Sequence, residues 1–478
     1  MKILLIFPRV SFESPPSYTN PKLGLMYLSS YVKKHGYKNT KIIDLELVPW
    51  SFDTFCKKVY EYSPDLVGIQ CMSTNLQSTD RICRFVRENL KDTKIVLGGP
   101  HFNTDPEDIF NYFDIDFVVR GEGEKTFLEL LQSLHEPSHY KNIKSLVFRD
   151  SDGSVVRNDY RELNYELDDL PFPDYDDLYE GHPACEHPYS KTGRMFTLTT
   201  SRGCPFRCAF CDTPNIHGVR VRTRSVDNVL DEMQLLQNKY GISEFSFKDS
   251  NFSMSKKWVR EYADKVAIRD MNISYFANYR FEVINDEYLE PLKESGCSLI
   301  FSGVESTDPV VKEILGKTTS MDQLRRADAS IKKYGIKRLY SFMFGSPGDT
   351  EETMQSYIDF AIKTDPFIML VAPTMAFPGT ALYEYAIEHN LLRDPKWFYS
   401  FLKPGNDDPF QARMMMDDLP PHVVDKYIKN AYLKFYLRPS KIYEYLTYYG
   451  LKRFTSAIAM KFFSFLNKYH PFTATYKK

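Results

Sequence analysis

The segment Ser201-Arg202-Gly203-Cys204-Pro205-Phe206-Arg207-Cys208-Ala209-Phe210-Cys211 constrains this chain more than any other stretch. It sets three cysteines at spacing C-x3-C-x2-C in one loop, directly after an apolar run at 196–200 that reads as a strand. Three thiolates this close suit three irons of a [4Fe–4S] cluster. The nearest other cysteines, Cys185 and Cys297, are far off in sequence, so one iron is expected to keep an open position. An open iron binds a small molecule as well as storing an electron. Two plainer readings fit the spacing less well. Structural zinc usually takes paired ligands, C-x2–4-C or H-x3–5-H, and only His217 offers a fourth ligand here. A ferredoxin-like carrier needs its fourth cysteine in a regular run.

The loop resembles that of the radical S-adenosylmethionine (SAM) superfamily. The resemblance implies that Cys204, Cys208 and Cys211 hold the cluster and that the amino and carboxylate groups of SAM chelate the open iron. It also implies reductive cleavage of SAM to a 5′-deoxyadenosyl radical, with Phe210 against the adenine side of the cofactor.

Upstream, residues 1 to about 135 alternate short apolar runs (2–7, 41–44, 65–70, 94–97, 115–119) with amphipathic segments (24–35, 52–62, 77–90, 124–134). In the first of these, Leu25, Leu28, Tyr31 and Val32 recur at helical spacing. Such alternation predicts a doubly wound parallel sheet, whose ligands sit beyond the carboxyl ends of the strands. Loops 8–23, 70–76, 98–101 and 120–124 are therefore the candidates for binding. The set Pro21-Lys22-Leu23-Gly24-Leu25, Gly98-Gly99-Pro100-His101 and Arg120-Gly121-Glu122-Gly123-Glu124 resembles the cobalamin-binding domain that precedes the radical core in cobalamin-dependent radical SAM enzymes. The resemblance assigns cobalamin contacts to Thr74, Leu76, Gly98, Gly99, Pro100, Gly121 and Glu122. One element departs from the pattern. Ordinary cobalamin domains carry D-x-H-x-x-G, whose histidine is the lower cobalt ligand, whereas the turn after the second strand reads Asp44-Leu45-Glu46-Leu47-Val48-Pro49. Cobalamin is then expected to bind without a protein imidazole on cobalt.

Residues 141–195 read as a connector. A hairpin, 145–148 and 154–157, turns through Arg149-Asp150-Ser151-Asp152-Gly153, and Pro171-Phe172-Pro173-Asp174 stiffens the approach to the core. Cys185 sits near His182 and His187, a grouping read as incidental. From 196 to 400 the alternation resumes, with strands at 196–200, 244–248, 273–277, 298–302, 338–344 and 367–372. One helix is capped by Ser225 and stopped by Gly241; another follows Ser255 and buries Trp258, Tyr262 and Val266. Six units suggest a partial (β/α)6 barrel of TIM type, with its chemistry at the carboxyl ends of the strands. There the resemblance assigns SAM contacts to Asp249 (Asn251 in reserve), Arg280, Glu305 in Gly303-Val304-Glu305-Ser306, and Gly345 and Pro347 in Gly345-Ser346-Pro347-Gly348-Asp349-Thr350. Pro378-Gly379-Thr380 completes the series.

Overall, the expectation is an α/β chain: a Rossmann-like cobalamin domain over 1–140, the connector, a radical core over 196–400, and a helical region over 401–478. A net charge of −2 gives no reason to expect nucleic acid. Eight cysteines without an export signal suggest a reducing, cytoplasmic setting. Residues 426–478 hold 11 Lys or Arg against one acid, interleaved with aromatics. That is read first as a cap on the barrel and second as peripheral docking to an anionic membrane. Leu433-Lys434-Phe435-Tyr436-Leu437-Arg438-Pro439 resembles tails of relatives acting on hopanoids and tetrapyrroles. The implied function is C-methylation of a lipid or other small molecule, supplied with electrons by a flavodoxin or ferredoxin. Radical cyclisation, rearrangement or oxidation, methylthiotransfer and a non-enzymatic cluster sensor remain as alternatives.

Overall fold

Runs such as ILLIF and LVGIQ have no polar face, so they are stable only when covered on both sides, as parallel strands are. A computed structural model of the chain describes residues 1–14, 21–103, 107–163, 166–178, 185–186, 190–402, 414–416 and 418–450. Its first sheet contains β1 (Ile3–Phe7), β2 (Thr40–Asp44), β3 (Leu66–Gln70), β4 (Lys94–Gly98), β5 (Phe117–Val119), β6 (Leu146–Arg149) and β7 (Val155–Arg157), in the order β2-β1-β3-β4-β5-β6-β7. The first five strands are parallel. Between them run α1 (Leu23–Lys34), α2 (Phe52–Tyr62), α3 (Leu76–Asn89) and α4 (Glu124–Gln132). Side chains of α1 and α4 join one core and those of α2 and α3 another, so the sheet is covered on both faces. Strand order reverses between β1 and β3, which opens a crevice beyond their carboxyl ends. The hairpin of the connector does not stand apart. Its strands β6 and β7 pair antiparallel onto β5 and extend the first sheet.

The second sheet begins with β8 (Cys185–Glu186), antiparallel to β9 (Arg194–Leu198). A short ribbon, β10 (Ser201–Arg202) with β11 (Arg222–Thr223), encloses α5 (Thr213–His217). Then come α6 (Val226–Tyr240), β12 (Glu244–Phe247), α7 (Lys256–Ile268), β13 (Ser274–Asn278), α8 (Asp286–Glu294) and β14 (Cys297–Glu305). The series ends with α9 (Pro309–Ile314), α10 (Met321–Lys333), β15 (Lys337–Phe344), α11 (Glu351–Thr364), β16 (Ile368–Pro373) and α12 (Ala381–Glu388). Six strands, β9-β12-β13-β14-β15-β16, run parallel, and among the described residues β9 and β16 do not pair, so the barrel stays open. Local chemistry sets the helix ends. Ser225 accepts from Asn228 N at the start of α6, and Gly241 takes the left-handed conformation at its end. Ser255 accepts from Trp258 N at the start of α7. Trp258, Tyr262 and Val266 are all buried.

The open edge is covered by α13 (Pro421–Tyr436). Tyr432 Oη accepts from Val371 N and donates to its carbonyl, both at 3.1 Å, and Tyr436 Oη does the same at Met369. These hydroxyls satisfy backbone groups that an edge strand otherwise exposes. Residues 439–450 are helical, with Lys441 buried between Asp365 and Glu444. The described part of the basic, aromatic segment therefore packs on the barrel, and 451–478 lie outside the described residues. No helix among the described residues is long and apolar enough to cross a membrane. His182, His187 and the side chain of Cys185 also lie outside the described residues.

Candidate active site at the junction of the two sheets

The cysteine loop leaves β9 and is fastened at once. The buried Asp249 carboxylate, just beyond β12, accepts from Thr200 N (2.9 Å), Thr200 Oγ1 (2.8 Å), Ser201 N and Ser201 Oγ (2.7 Å). Gly203 follows with φ +99°, where a Cβ would collide with the Arg220 carbonyl. Cys204 N then donates to Gly218 O at 3.2 Å. Further along, Ala209 N donates to Leu315 O (2.9 Å) and Ala209 O accepts from Leu382 N (2.7 Å). Backbone on several sides thus fixes the loop.

Cys204 is buried, and Cys208 and Cys211 are half-buried. Among the described residues, no three His, Cys, Asp or Glu side chains gather around one ion-sized centre. A zinc ion needs its ligands about a single point, whereas a cubane takes each thiolate on a different iron. Donors surround the sulfurs. Arg280 Nη1 lies 2.8 Å from Cys208 Sγ, and its guanidinium stacks over Phe206 at 4.0 Å. Asn251 Nδ2 lies 4.0 Å from Cys204 Sγ, and its Oδ1 accepts from Arg280 N at 2.9 Å. Donors of this kind tune a cluster and hold its ligands in place.

The other strand ends supply the remaining expected positions. Glu305 closes β14 with φ +61°, an uncommon conformation for a side-chain-bearing residue, at a break in register against β15. Its buried carboxyl is pushed up by desolvation, partly offset by Lys317. Its contacts are long: 3.8 Å to Lys317 Nζ and 3.3 Å to Ser341 Oγ. Phe210 packs partly buried with the apolar group around Ala376, near Met343 and Phe377. Pro347 is buried. Gly345 has φ +77°, and a Cβ there would stand 2.9 Å from Val424 Cγ2, so α13 dictates this glycine. Asp249, expected to meet the SAM amino group, has its carboxylate engaged with Thr200 and Ser201. Asn251 is the neighbour that reaches Cys204.

A cavity of about 300 Å³ lies between the two sheets. Leu23, Gly24, Gln70, Gly98, Gly99 and Pro100 wall it from the first sheet, and Ser201, Arg202, Gly203 and His217 from the cysteine loop. Gly121 and Glu122 border both. Thr74 and Leu76 are not in this wall. Leu76 opens α3 and is buried in the core on the opposite face of the sheet. Glu122 ties the halves together. It meets Arg202 (3.1 Å), Arg222 (3.1 Å to Nη1) and His217 Nδ1 (2.7 Å), while Arg202 also meets Glu124 (2.8 Å). Burial alone raises its pKa, but the His217 hydrogen bond, the Arg202 charge and the Arg222 hydrogen bonds outweigh it and hold the carboxyl well below the usual range. The glycines and aliphatic side chains of the cavity leave an open apolar wall against which the face of a macrocycle could lie. Within it Gln70 Oε1 is buried without a hydrogen-bond partner.

Comparison with known proteins agrees with this geometry. The B12 binding domain family matches residues 16–131 and the Radical SAM superfamily matches 198–361. An uncharacterized methyltransferase of Pyrococcus horikoshii is 33% identical over 443 residues, covering 92% of this chain and 93% of that protein. The chain belongs to the cobalamin-dependent radical SAM enzymes. The cofactors of this family are a [4Fe–4S] cluster, SAM and cobalamin. An anaerobic magnesium-protoporphyrin IX monomethyl ester cyclase of Rubrivivax gelatinosus is 26% identical, covering 80% of this chain and 70% of the cyclase. Among solved structures, the radical SAM methyltransferase TsrM from Kitasatospora setae, with cobalamin and [4Fe-4S] cluster bound, aligns with a TM-score of 0.67 at 22% identity. It covers 82% of this chain and 76% of TsrM, a likeness of fold.

The family resemblance picked out the cysteines, Glu305 and the Gly-Gly turn, because each sits in a short contiguous motif. It did not pick out Gln70 or the partners of Glu122. Arg202, His217 and Arg222 lie 80, 95 and 100 positions away from Glu122 in the chain. For Gln70 a signal existed, since it is the last residue of a strand at the switch point of the sheet.

Proposed function

We propose that this radical SAM enzyme methylates an unactivated carbon of a small-molecule or lipid substrate. The observation that carries the reading is the shared cavity. Gly98, Gly99 and Pro100 face the same space as Ser201, Arg202 and Gly203, the residues immediately before Cys204. When bound, the cluster and SAM supply a hydrogen-abstracting radical, and cobalamin supplies a transferable methyl group. The chain's part is to position and shield, because cofactors carry the hard chemistry. Cys204, Cys208 and Cys211 hold the cluster. Arg280 offsets its negative charge. Glu305 is placed to accept hydrogen bonds from SAM. Phe210, backed by Ala376 and Phe377, keeps water from the reacting carbon. A one-electron donor protein of the flavodoxin or ferredoxin class completes the system.

A second reading, radical cyclisation or rearrangement without methyl transfer, is favoured by the match to the cyclase over most of this chain. Methylthiotransfer would need a second cluster on Cys56, Cys71 and Cys83, but Cys56 lies on α2 and Cys83 on α3, Cys71 follows β3, and among the described residues the three do not gather as a set of metal ligands. Untargeted mass spectrometry of extracts from cells with and without the gene should find a product one CH2 heavier than its precursor. Given that precursor, the purified enzyme should form S-adenosylhomocysteine and 5′-deoxyadenosine in equal amounts. 5′-Deoxyadenosine without S-adenosylhomocysteine would replace methylation with the second reading.

A further inference from the structure

Gln70 ends β3, beside the reversal of strand order, and lines the cavity. Sheets of this kind bind their ligands at such switch points. Among the charged groups of the same wall, Glu122 pairs with Arg202 and His217, and Glu124 with Arg202. Gln70 Oε1 is buried with no partner. A carbonyl oxygen left so is unfavourable and calls for a group outside the chain. Glycines flank it. A Cβ on Gly24 would lie 3.7 Å from this oxygen, and one on Gly99 3.2 Å from Gln70 Cγ. Among the described residues that line the cavity, no histidine comes from the first sheet or its loops. Asp44 and the turn after it are not in the wall, and His217 approaches from the cysteine loop with Nδ1 committed to Glu122.

We propose that Gln70 is the residue beneath the corrin, facing the lower axial position of cobalt with its carboxamide oxygen, directly or through one water. It takes the place that an imidazole holds in other cobalamin domains. A neutral amide oxygen is a weak donor, so with cobalamin bound Gln70 would hold cobalt more loosely than an imidazole does. The proposal rests on cobalamin binding in this cavity, and the test separates the two.

The whole protein is loaded anaerobically with cob(II)alamin and studied by electron paramagnetic resonance, with cobalamin per chain measured alongside. The wild type should show cobalt hyperfine lines without a nitrogen triplet. Gln70→Ala removes the oxygen, adds no bulk, and should bind cobalamin with a spectrum shifted from that of the wild type. Gln70→His should split each cobalt line into three through one imidazole nitrogen. A Gln70→Ala spectrum superimposable on that of the wild type, at equal cobalamin content, overturns the role of Gln70 and leaves the cofactor site intact. A wild type that takes up no cobalamin overturns both.

Discussion

Arg280 shows how a single side chain acts on this site. Its guanidinium donates to Cys208 Sγ, stacks on Phe206 and is held by Glu282 at 2.7 Å. Fixed positive charge beside a cluster favours the reduced, more negative state. Arg280→Ala should therefore make the cluster harder to reduce, lowering its potential by roughly 60 mV, about 1.4 kcal/mol for one electron. Potentiometric titration of the reconstituted protein checks this, and an unchanged potential would deny Arg280 an electrostatic role. The residue was legible as a candidate because Asn278-Tyr279-Arg280 follows a strand end. Its partner sulfur was not, since the pairing spans 72 positions. Asp249 teaches the converse. Its place beyond β12 was readable, but the backbone and hydroxyl donors of Thr200 and Ser201 that occupy it belong to a neighbouring strand.

Among the elements, α13 both fills the core and covers an edge. Ile428 and Phe435 are fully buried, each contributing about 2–3 kcal/mol, and Tyr432 and Tyr436 close the exposed edge of β16. Removing both hydroxyls (Tyr432→Phe with Tyr436→Phe) leaves four backbone hydrogen bonds unmade at that edge. Chemical denaturation should show a loss of about 2–4 kcal/mol, with more aggregation near the midpoint. A stability equal to that of the wild type would mean that the edge needs no cover. The parallel strands of both sheets and two helix caps of the second were readable beforehand, because apolar runs, serine caps and Gly241 act locally. The docking of α13 was not. A basic, aromatic helix suits a barrel edge and a membrane surface alike, and only the strand it faces tells them apart.

At the scale of the molecule, the two sheets cooperate through Glu122. Arg222 is buried with it, and Arg202, mostly covered, also keeps Glu124, so Glu122→Gln removes the carboxylate the two cations share and should destabilise the protein by about 3–5 kcal/mol. Limited proteolysis between the sheets should quicken, and cobalamin affinity should fall. The sign of its pH dependence follows from the lowered carboxyl. The folded chain holds that proton less readily than the unfolded chain, so the stabilisation is complete above the ordinary carboxylate range. It is lost as pH falls below that range, and the stability gap between wild type and variant should narrow on acidification. A gap independent of pH would contradict the assignment. Two domains in this order were evident from the alternation of strands and helices, but their junction was not, because it is built from contacts about 100 residues apart.

The account as a whole depends on a cubane held by Cys204, Cys208 and Cys211, with one iron left for SAM. Electron paramagnetic resonance of the anaerobically reconstituted, reduced protein, recorded with and without SAM, tests this most directly. A [4Fe–4S]⁺ signal that changes on adding SAM, vanishes on replacing any of the three cysteines by alanine and survives Cys83→Ala is the predicted result. A signal indifferent to SAM would contradict the account.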